Sequence, residues 1–425
     1  MPAIDPQTGG VDFVGWSKGL DNLRMNYELL DDSVRNCMNV DFTVRGKIRR
    51  RDGYASASVL TNGHSACALQ NFMAYVNNGT LTVVNTSLVT VATMTGFSAT
   101  RRVAFEFVNG DAYFSDGAVN GRISGVDGSI TSWGVESPAA QPTLSVVAGS
   151  LNAGTYRCVV TFLSSTGEES GTGSASVVTI PDVPPGNTGS IAFSNIPQPA
   201  GSGVSTILIY LTEANGSIFR RVASIPVGTT SHILGSSIRG STLRTQFCDK
   251  PPVGSGVLGA TSNLLLIGDG QVVWNTQPFR FGLFNNTSDF MMFGGTVTLI
   301  WGTPTAAFIC ADQTYFVTGI GTDQMELRTV LPYGAVKGTR VILPNQKEAM
   351  WLSTRGIVHA YIDGSAKNVS EEMVSIPNYV EGAAMIREAN GLRQYVVSAY
   401  SPVAGSSYAS SDYTASETVR LTEVY

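Results

Sequence analysis

What most constrains this chain is the near absence of helical periodicity: apolar residues recur in short alternating runs, and turn residues interrupt them every few positions. Stretches such as LTVVNTSLVTVATM (81–94) and TLSVVAG (143–149) read as strands of about 5–7 residues. Between apolar runs stand Asn62-Gly63, Asn109-Gly110, Asp127-Gly128, Asp269-Gly270 and Asp363-Gly364, dipeptides suited to tight hairpin loops. With 46 glycines spread along 425 residues, the pattern predicts an all-β protein of sandwich or barrel-like type.

One phrase recurs: an apolar strand, a polar turn, then a second strand rich in aromatics. It appears as RVAFEFVNGDAYFSDG (102–117), NLLLIGDGQVVWNTQPFRFG (263–282), AAFICADQTYFVTG (306–319) and AMWLSTRGIVHAYIDG (349–364). A fifth copy is LRQYVVSAY (392–400), and LQNFMAYVNNGTLTVVN (69–85) is a candidate sixth. The later copies stand roughly 35–45 residues apart, which suits four-stranded propeller blades. The competing reading is a set of unrelated hairpins. Identity between copies is low, so blade number stays open.

The middle of the chain behaves differently. ESPAAQP (136–142) precedes and CDKPPVGSG (248–256) follows a self-contained alternating stretch. Its length of about 105 residues, with six or seven strands, matches an immunoglobulin or fibronectin type III sandwich. Tyr156, Val160, Phe162, Ile207, Ile209 and Tyr210 are expected to furnish its core. The expected fold is therefore a β-propeller with an inserted immunoglobulin/fibronectin type III-like β-sandwich. Residues 1–60 form an N-terminal arm with propeller-closing strands, 61–142 the first part of the propeller, and 143–250 the inserted sandwich. Residues 251–402 form the second part of the propeller, and 403–425 a C-terminal tail.

Composition narrows function. The chain is 43% hydrophobic, which places it among packed proteins, and only 14% charged, which hints at surface covered by neighbouring subunits. A net charge of −5 argues against a general nucleic-acid binder. Cys37, Cys67, Cys158, Cys248 and Cys310 lie far apart with no zinc-like spacing, as buried free thiols of a reducing compartment would. The opening MPAIDPQTGG lacks the basic and apolar regions of a signal peptide, and apolar runs such as LLLIG (264–268) are too short to span a bilayer.

No catalytic constellation is legible, and neither a metal nor another cofactor is expected. His64, His232 and His359 are isolated in sequence, and isolated histidines are mostly packed or surface residues. Asp31-Asp32 and Glu168-Glu169 are paired carboxylates, yet neighbours on a strand point to opposite faces, so solvated turn charge is the expected role. Phosphate-loop, dinucleotide and nucleophile-elbow patterns do not occur. IGDGQVVW (267–274) approaches a sialidase box but has the wrong spacing and no Ser. One basic cluster stands out, Arg45, Lys47, Arg49, Arg50 and Arg51 in TVRGKIRRRDGY (43–54). Its arginines suit either phosphate contact or, for Arg49 to Arg51, pairing with carboxylates of another subunit or blade.

The segment WSKGLDNLRMNYELLDDSVRNCMNVDFTVRGKIRRRDGY (16–54) resembles the N-terminus of tail-nozzle (tail tubular protein B-like) proteins of short-tailed phages and their prophage relatives. The matching elements are Asp31-Asp32, Asn39-Val40-Asp41, Gly46, and Arg50-Arg51-Asp52-Gly53-Tyr54. GEES (167–170), ILIYLTE (207–213), VVWNTQPFRFGLFN (272–285), DQTYFVTG (312–319) and LSTRGIVHAYIDGSAKNVSEE (352–372) extend the likeness over most of the chain. The resemblance implies a non-enzymatic virion protein, assembled in the host cytoplasm. It would form a homo-oligomeric ring, expected to be a hexamer, in the tail. That ring would sit below the portal and head–tail adaptor, near fibre or tip proteins. Genomic DNA would pass through it without sequence-specific binding, as a neutral-to-acidic lining permits. Arg49, Arg50, Arg51, Asp31 and Asp32 are the expected contacts with a neighbouring subunit or the adaptor. The chain is shorter than the larger nozzle proteins, which leaves a distal gate open. The alternative reading is a receptor-binding or fibre-docking tail protein; a polysaccharide-degrading enzyme is the third.

Overall fold

The computed structural model describes residues 16, 18–25, 27–30, 32–35, 40–42, 47–50, 60, 62–182, 188–201, 203–234, 240–374, 376, 378–389 and 392–400. Every regular element among them is a strand, so the all-β expectation holds.

Five four-stranded antiparallel sheets follow one another along the chain, each built from strands consecutive in sequence or nearly so. The first is His64–Ala68, Phe72–Asn77, Thr80–Asn85 and Thr90–Thr95. The second is Ala104–Val108, Asp111–Ser115, Asn120–Ile123 and Ile130–Thr131. The third is Val257–Ala260, Leu265–Asp269, Val272–Asn275 and Phe290–Met292. The fourth is Leu299–Gly302, Ala306–Cys310, Thr314–Thr318 and Glu326–Leu331, and the fifth Val341–Ile342, Glu348–Ser353, Gly356–Tyr361 and Ala366–Asn368. A two-stranded ribbon, Glu381–Ala389 with Leu392–Tyr400, ends the series.

Strand alternation explains why the second strands read as unbroken apolar runs. Successive side chains point to opposite faces, and each sheet after the first is covered on both. In the fourth sheet Ala307 and Ile309 join a core shared with the third sheet, while Ala306, Phe308 and Cys310 join one shared with the fifth. In the third sheet Leu266 faces the fourth, whereas Leu265 and Ile267 face the second. Met350 and Leu352 of the fifth sheet reach the terminal ribbon through Tyr395 and Val397.

The expected propeller is not what forms. The molecule has several antiparallel sheets, but none closes into a barrel and the series does not close into a propeller. The first sheet shares its core with the second alone, and the last core joins the fifth sheet to the ribbon and to Leu20 of the arm. The hairpin phrase reports alternation and turn chemistry, which specify a local meander. Closure is a long-range contact that no pattern inside one meander encodes. The arm is corrected with it. Among the described residues Gly19–Leu20 pairs in parallel with Ser33–Val34, Val40–Phe42 pairs antiparallel with Ile48–Arg50, and neither pair extends a larger sheet.

Between the second and third sheets stand two facing antiparallel sheets. One orders Thr143–Asn152, Thr188–Ser194 and His232–Ile233; the other orders Ser176–Ile180, Gly154–Ser164, Val204–Leu211 and Arg220–Pro226. Tyr156, Val160, Phe162, Ile207 and Ile209 lie in their common core. Tyr210 departs from expectation: it packs on the opposite face with Val159, Leu208, Phe219 and Leu243, as strand parity requires beside Ile209. The first two strands fall in different sheets, unlike the A and B strands of an immunoglobulin domain. The segments leading in and out are stapled side by side by Ser137 Oγ to Asp249 Oδ1 (3.1 Å) and Lys250 Nζ to Glu136 Oε1 (3.2 Å).

Candidate functional site: the arm loop and the joints between sheets

The residues expected to make subunit contacts fall on two separate units. Arg49 and Arg50 lie on Ile48–Arg50, opposite Asp41 and Val40, with Arg50 exposed and Arg49 half-buried. Asp32 precedes the Ser33–Val34 strand, its carbonyl accepting from Lys18 N at 3.1 Å. Asp31 and Arg51 lie outside the described residues.

Between the paired strands of the first unit runs a loop with a polar base and an apolar tip. Asp21 is 1% exposed; its Oδ1 accepts from Arg24 N at 3.2 Å, and Oδ2 sits 3.5 Å from Arg24 Nε. Asp21 N donates to Val34 O (2.8 Å), Arg35 Nη1 to Arg24 O (2.9 Å), and Ser33 N to Leu30 O (2.9 Å). Asn22 N donates to Met373 O at 3.1 Å, and Leu20 packs into the last core, so the loop is fixed to the body. From this base Leu23, Met25, Tyr27 and Leu30 all project into solvent, Tyr27 at 80% exposure. Four large apolar side chains on one anchored loop form the kind of patch that marks an interaction site.

Charge elsewhere is spent on joints between sheets. Arg340 stands just before the fifth sheet and reaches three others. Its Nη2 donates to Glu106 Oε2 of the second sheet at 2.6 Å, and its Nη1 to Leu258 O of the third at 3.1 Å and to Ile300 O of the fourth. Both side chains of the pair are largely buried. Lys337 Nζ adds a bond to Ser255 O at 2.6 Å. Nothing in the sequence signals this hub, because its members lie up to 234 positions apart.

The Glu168-Glu169 turn also departs from expectation. Both carboxylates are half-buried and not solvated turn charge, and they point opposite ways. Glu169 Oε1 accepts from Thr161 Oγ1 and Tyr210 OH, both at 2.7 Å. Glu168 crosses to the loop before Phe284–Asn285, where it accepts a backbone bond from Gly282, and a Cβ at Gly282 would collide with it. Burial pushes the Glu168 carboxyl above its ordinary value, opposed by Arg122, the Gly282 amide and Arg280. The same surroundings push Tyr113 up to about 12, burial being the main cause.

The histidines are not isolated in space. His359 is 3% exposed, with Nε2 at 2.7 Å from Glu348 Oε2 and Nδ1 at 3.3 Å from Tyr361 OH; Asn345 Nδ2 donates to Glu348 Oε1 at 2.7 Å. His64 lies against Ser65 Oγ (2.8 Å) and Ser98 O (3.1 Å), and burial lowers its pKa. His232 stands 6.1 Å from the Phe193 ring. Among the described residues no group of three or more His, Cys, Asp or Glu is arranged to hold a metal. No helix there is long and apolar enough to cross a membrane.

No protein family matches the sequence, and no curated protein matches it. Solved structures give only remote likenesses. The β-propeller domain of Cps50 (Swd1) from Myceliophteria thermophila is 10% identical, with 45% of this chain and 58% of that one covered, at a TM-score of 0.24. Apo AztD from Citrobacter koseri is 11% identical over 76% of this chain and 88% of that one, at 0.28. Hsv2 from Kluyveromyces lactis is 7% identical over 78% and 87%, at 0.26. Superposition at this level carries no argument about fold or function.

Proposed function

We propose that this chain is a non-enzymatic structural subunit of a tailed-phage virion, a ring component of the tail nozzle below the portal and adaptor. The observation that carries the reading is the ordered likeness running from 16–54 to 352–372, strongest in the arm. What supports it physically is the arm loop itself: a fixed polar base holding Leu23, Met25, Tyr27 and Leu30 outward suits a surface that a neighbour covers. The test is mass spectrometry and cryo-electron microscopy of purified virions. The chain is expected in the tail, in a copy number set by one ring; its absence from purified virions would sink the proposal. A fibre-docking role is the second reading, favoured by the ten-residue, largely exposed edge strand Thr143–Asn152 of the two-sheet insert. A copy number matching the fibres rather than one ring selects it.

A further inference from the structure

Among the described residues the two most exposed aromatic side chains are Tyr27, at 80%, and Phe279, at 74%. Each is followed in sequence by an exposed charge that forms no ion pair among the described residues, and the two signs are opposite: Glu28 follows Tyr27, and Arg280 follows Phe279. The first couple stands at the tip of the arm loop. There Tyr27 OH donates to Met25 Sδ at 3.1 Å and Glu28 N to Met25 O at 2.9 Å, which closes the tip on itself. The arginines of that unit serve its base: Arg24 is held by Asp21, and Arg35 donates to Arg24 O. The tip is therefore apolar and anionic.

The second couple stands on a turn that follows Val272–Asn275 of the third sheet. Arg280 N donates to Gln277 O at 3.0 Å, which puts Pro278 and Phe279 at the centre of the turn, and Phe279 N donates to Asn263 O at 2.9 Å. Phe279 sits at φ 59°, in a place that such turns normally give to Gly or Asn. The other non-glycine residues held in that region are Asn, Ser or Gln with one exception, Leu88 (φ 59°) in the turn that Asn85 closes, and no charge follows Leu88 before Arg101. A backbone strained to display an aromatic ring in water points to a use for the ring. The carboxylates near the turn have other partners. Asp289 accepts from Gln277, Ser288 and Asn285, and Glu168 accepts from the Gly282 amide. Arg280 is left to meet a carboxylate from elsewhere.

We infer that the Tyr27–Glu28 tip of one copy docks on the Phe279–Arg280 turn of a second copy. Charge complementarity selects this occupant. An aromatic beside an anion meets an aromatic beside a cation, so the rings bury apolar surface while Glu28 and Arg280 pair at the rim. Both couples are exposed on the same chain, so they meet only between copies. The contact is head-to-tail: each copy gives its tip to one neighbour and its turn to the other, a pattern that propagates into a ring or filament. The inference rests on the reading of this chain as an assembly subunit and names the surfaces that assemble.

The test uses the full chain, with mass measured by light scattering after size exclusion. Glu28→Arg and Arg280→Glu each set like charges against one another and are expected to weaken self-association roughly 100-fold. All positions changed are exposed, so the variants should fold, which thermal unfolding checks. The decisive samples restore opposite signs. The double variant Glu28→Arg with Arg280→Glu should recover assembly, although it carries the same change beside Glu168 as the single variant does. An equimolar mixture of the two single variants should also assemble, with the two chains alternating. Phe279→Gly removes the ring and relaxes the backbone, so self-association should fall roughly 100-fold while the melting temperature does not fall. Wild-type assembly by either charge variant or by Phe279→Gly overturns the inference, as does a double variant no better than the single ones. A wild-type chain that is monomeric at every attainable concentration also overturns it, whereas recovery of that chain in virions would leave the assembly role standing.

Discussion

Arg340 shows how much one side chain can hold when it serves several elements. Its guanidinium satisfies a carboxylate and two main-chain carbonyls from three sheets, which suits the fixed fork of that group. Removing one member of a buried pair strands the other. Arg340→Met or Glu106→Gln is therefore expected to cost about 3–5 kcal/mol in chemical denaturation. The double replacement Arg340→Met with Glu106→Met should recover much of that loss, and equal loss in the double variant would show that the carbonyl bonds dominate. Leu88→Gly makes the opposite case. Glycine enters the left-handed region freely, so the variant is expected to gain up to about 1 kcal/mol in chemical denaturation. Neither residue was legible in advance. Arg340 sits in YGAVKGTRVIL with no diagnostic spacing, and the strain at Leu88 is a property of the turn that Asn85 closes.

At the scale of elements, alternation carried the reading well. It placed Tyr156, Val160, Phe162, Ile207 and Ile209 in one core, and failed at Tyr210 because two adjacent residues of a strand cannot share a face. The insert has its own core and leaves and returns by a stapled pair of segments. A fragment covering 136–250 should thus unfold in one cooperative transition, whereas a fragment without dispersed amide signals would mean its core depends on the neighbouring sheets. The joint at Glu168 should respond to pH. Its folded-state pKa is raised above the ordinary 4.5, so the folded form holds the proton more tightly than the unfolded form does. Stability from this group is complete below that value and is lost as pH rises through the raised pKa. Glu168→Gln should flatten this part of the stability–pH curve, and an unchanged slope would assign it to other groups. The paired carboxylates looked like solvated turn charge because their partners, from Thr161 to Gly282, are set by tertiary contact.

At the scale of the molecule each of these hydrophobic cores joins neighbouring sheets, while Arg340 ties the fifth sheet back to the second. Local patterns revealed the meanders but not their arrangement, since the end-to-end relation of the first and fifth sheets lies outside any window of sequence. Phe308, stacked on Trp301 at 5.3 Å and tilted against Phe316 at 4.8 Å, is fully buried between the fourth and fifth sheets. Phe308→Ala should cost about 3–5 kcal/mol. Amide exchange should rise mainly in those two sheets, and an even rise across all five would mean the series behaves as one cooperative unit. The two-sided use of strands such as Ala306–Cys310 has a consequence for descent. A strand whose odd and even positions belong to different cores cannot gain or lose a single residue without exchanging the contents of both. Insertions and deletions in such a lineage should therefore collect in the turns or come in twos, leaving strand length as a fossil of the register in which the series first formed.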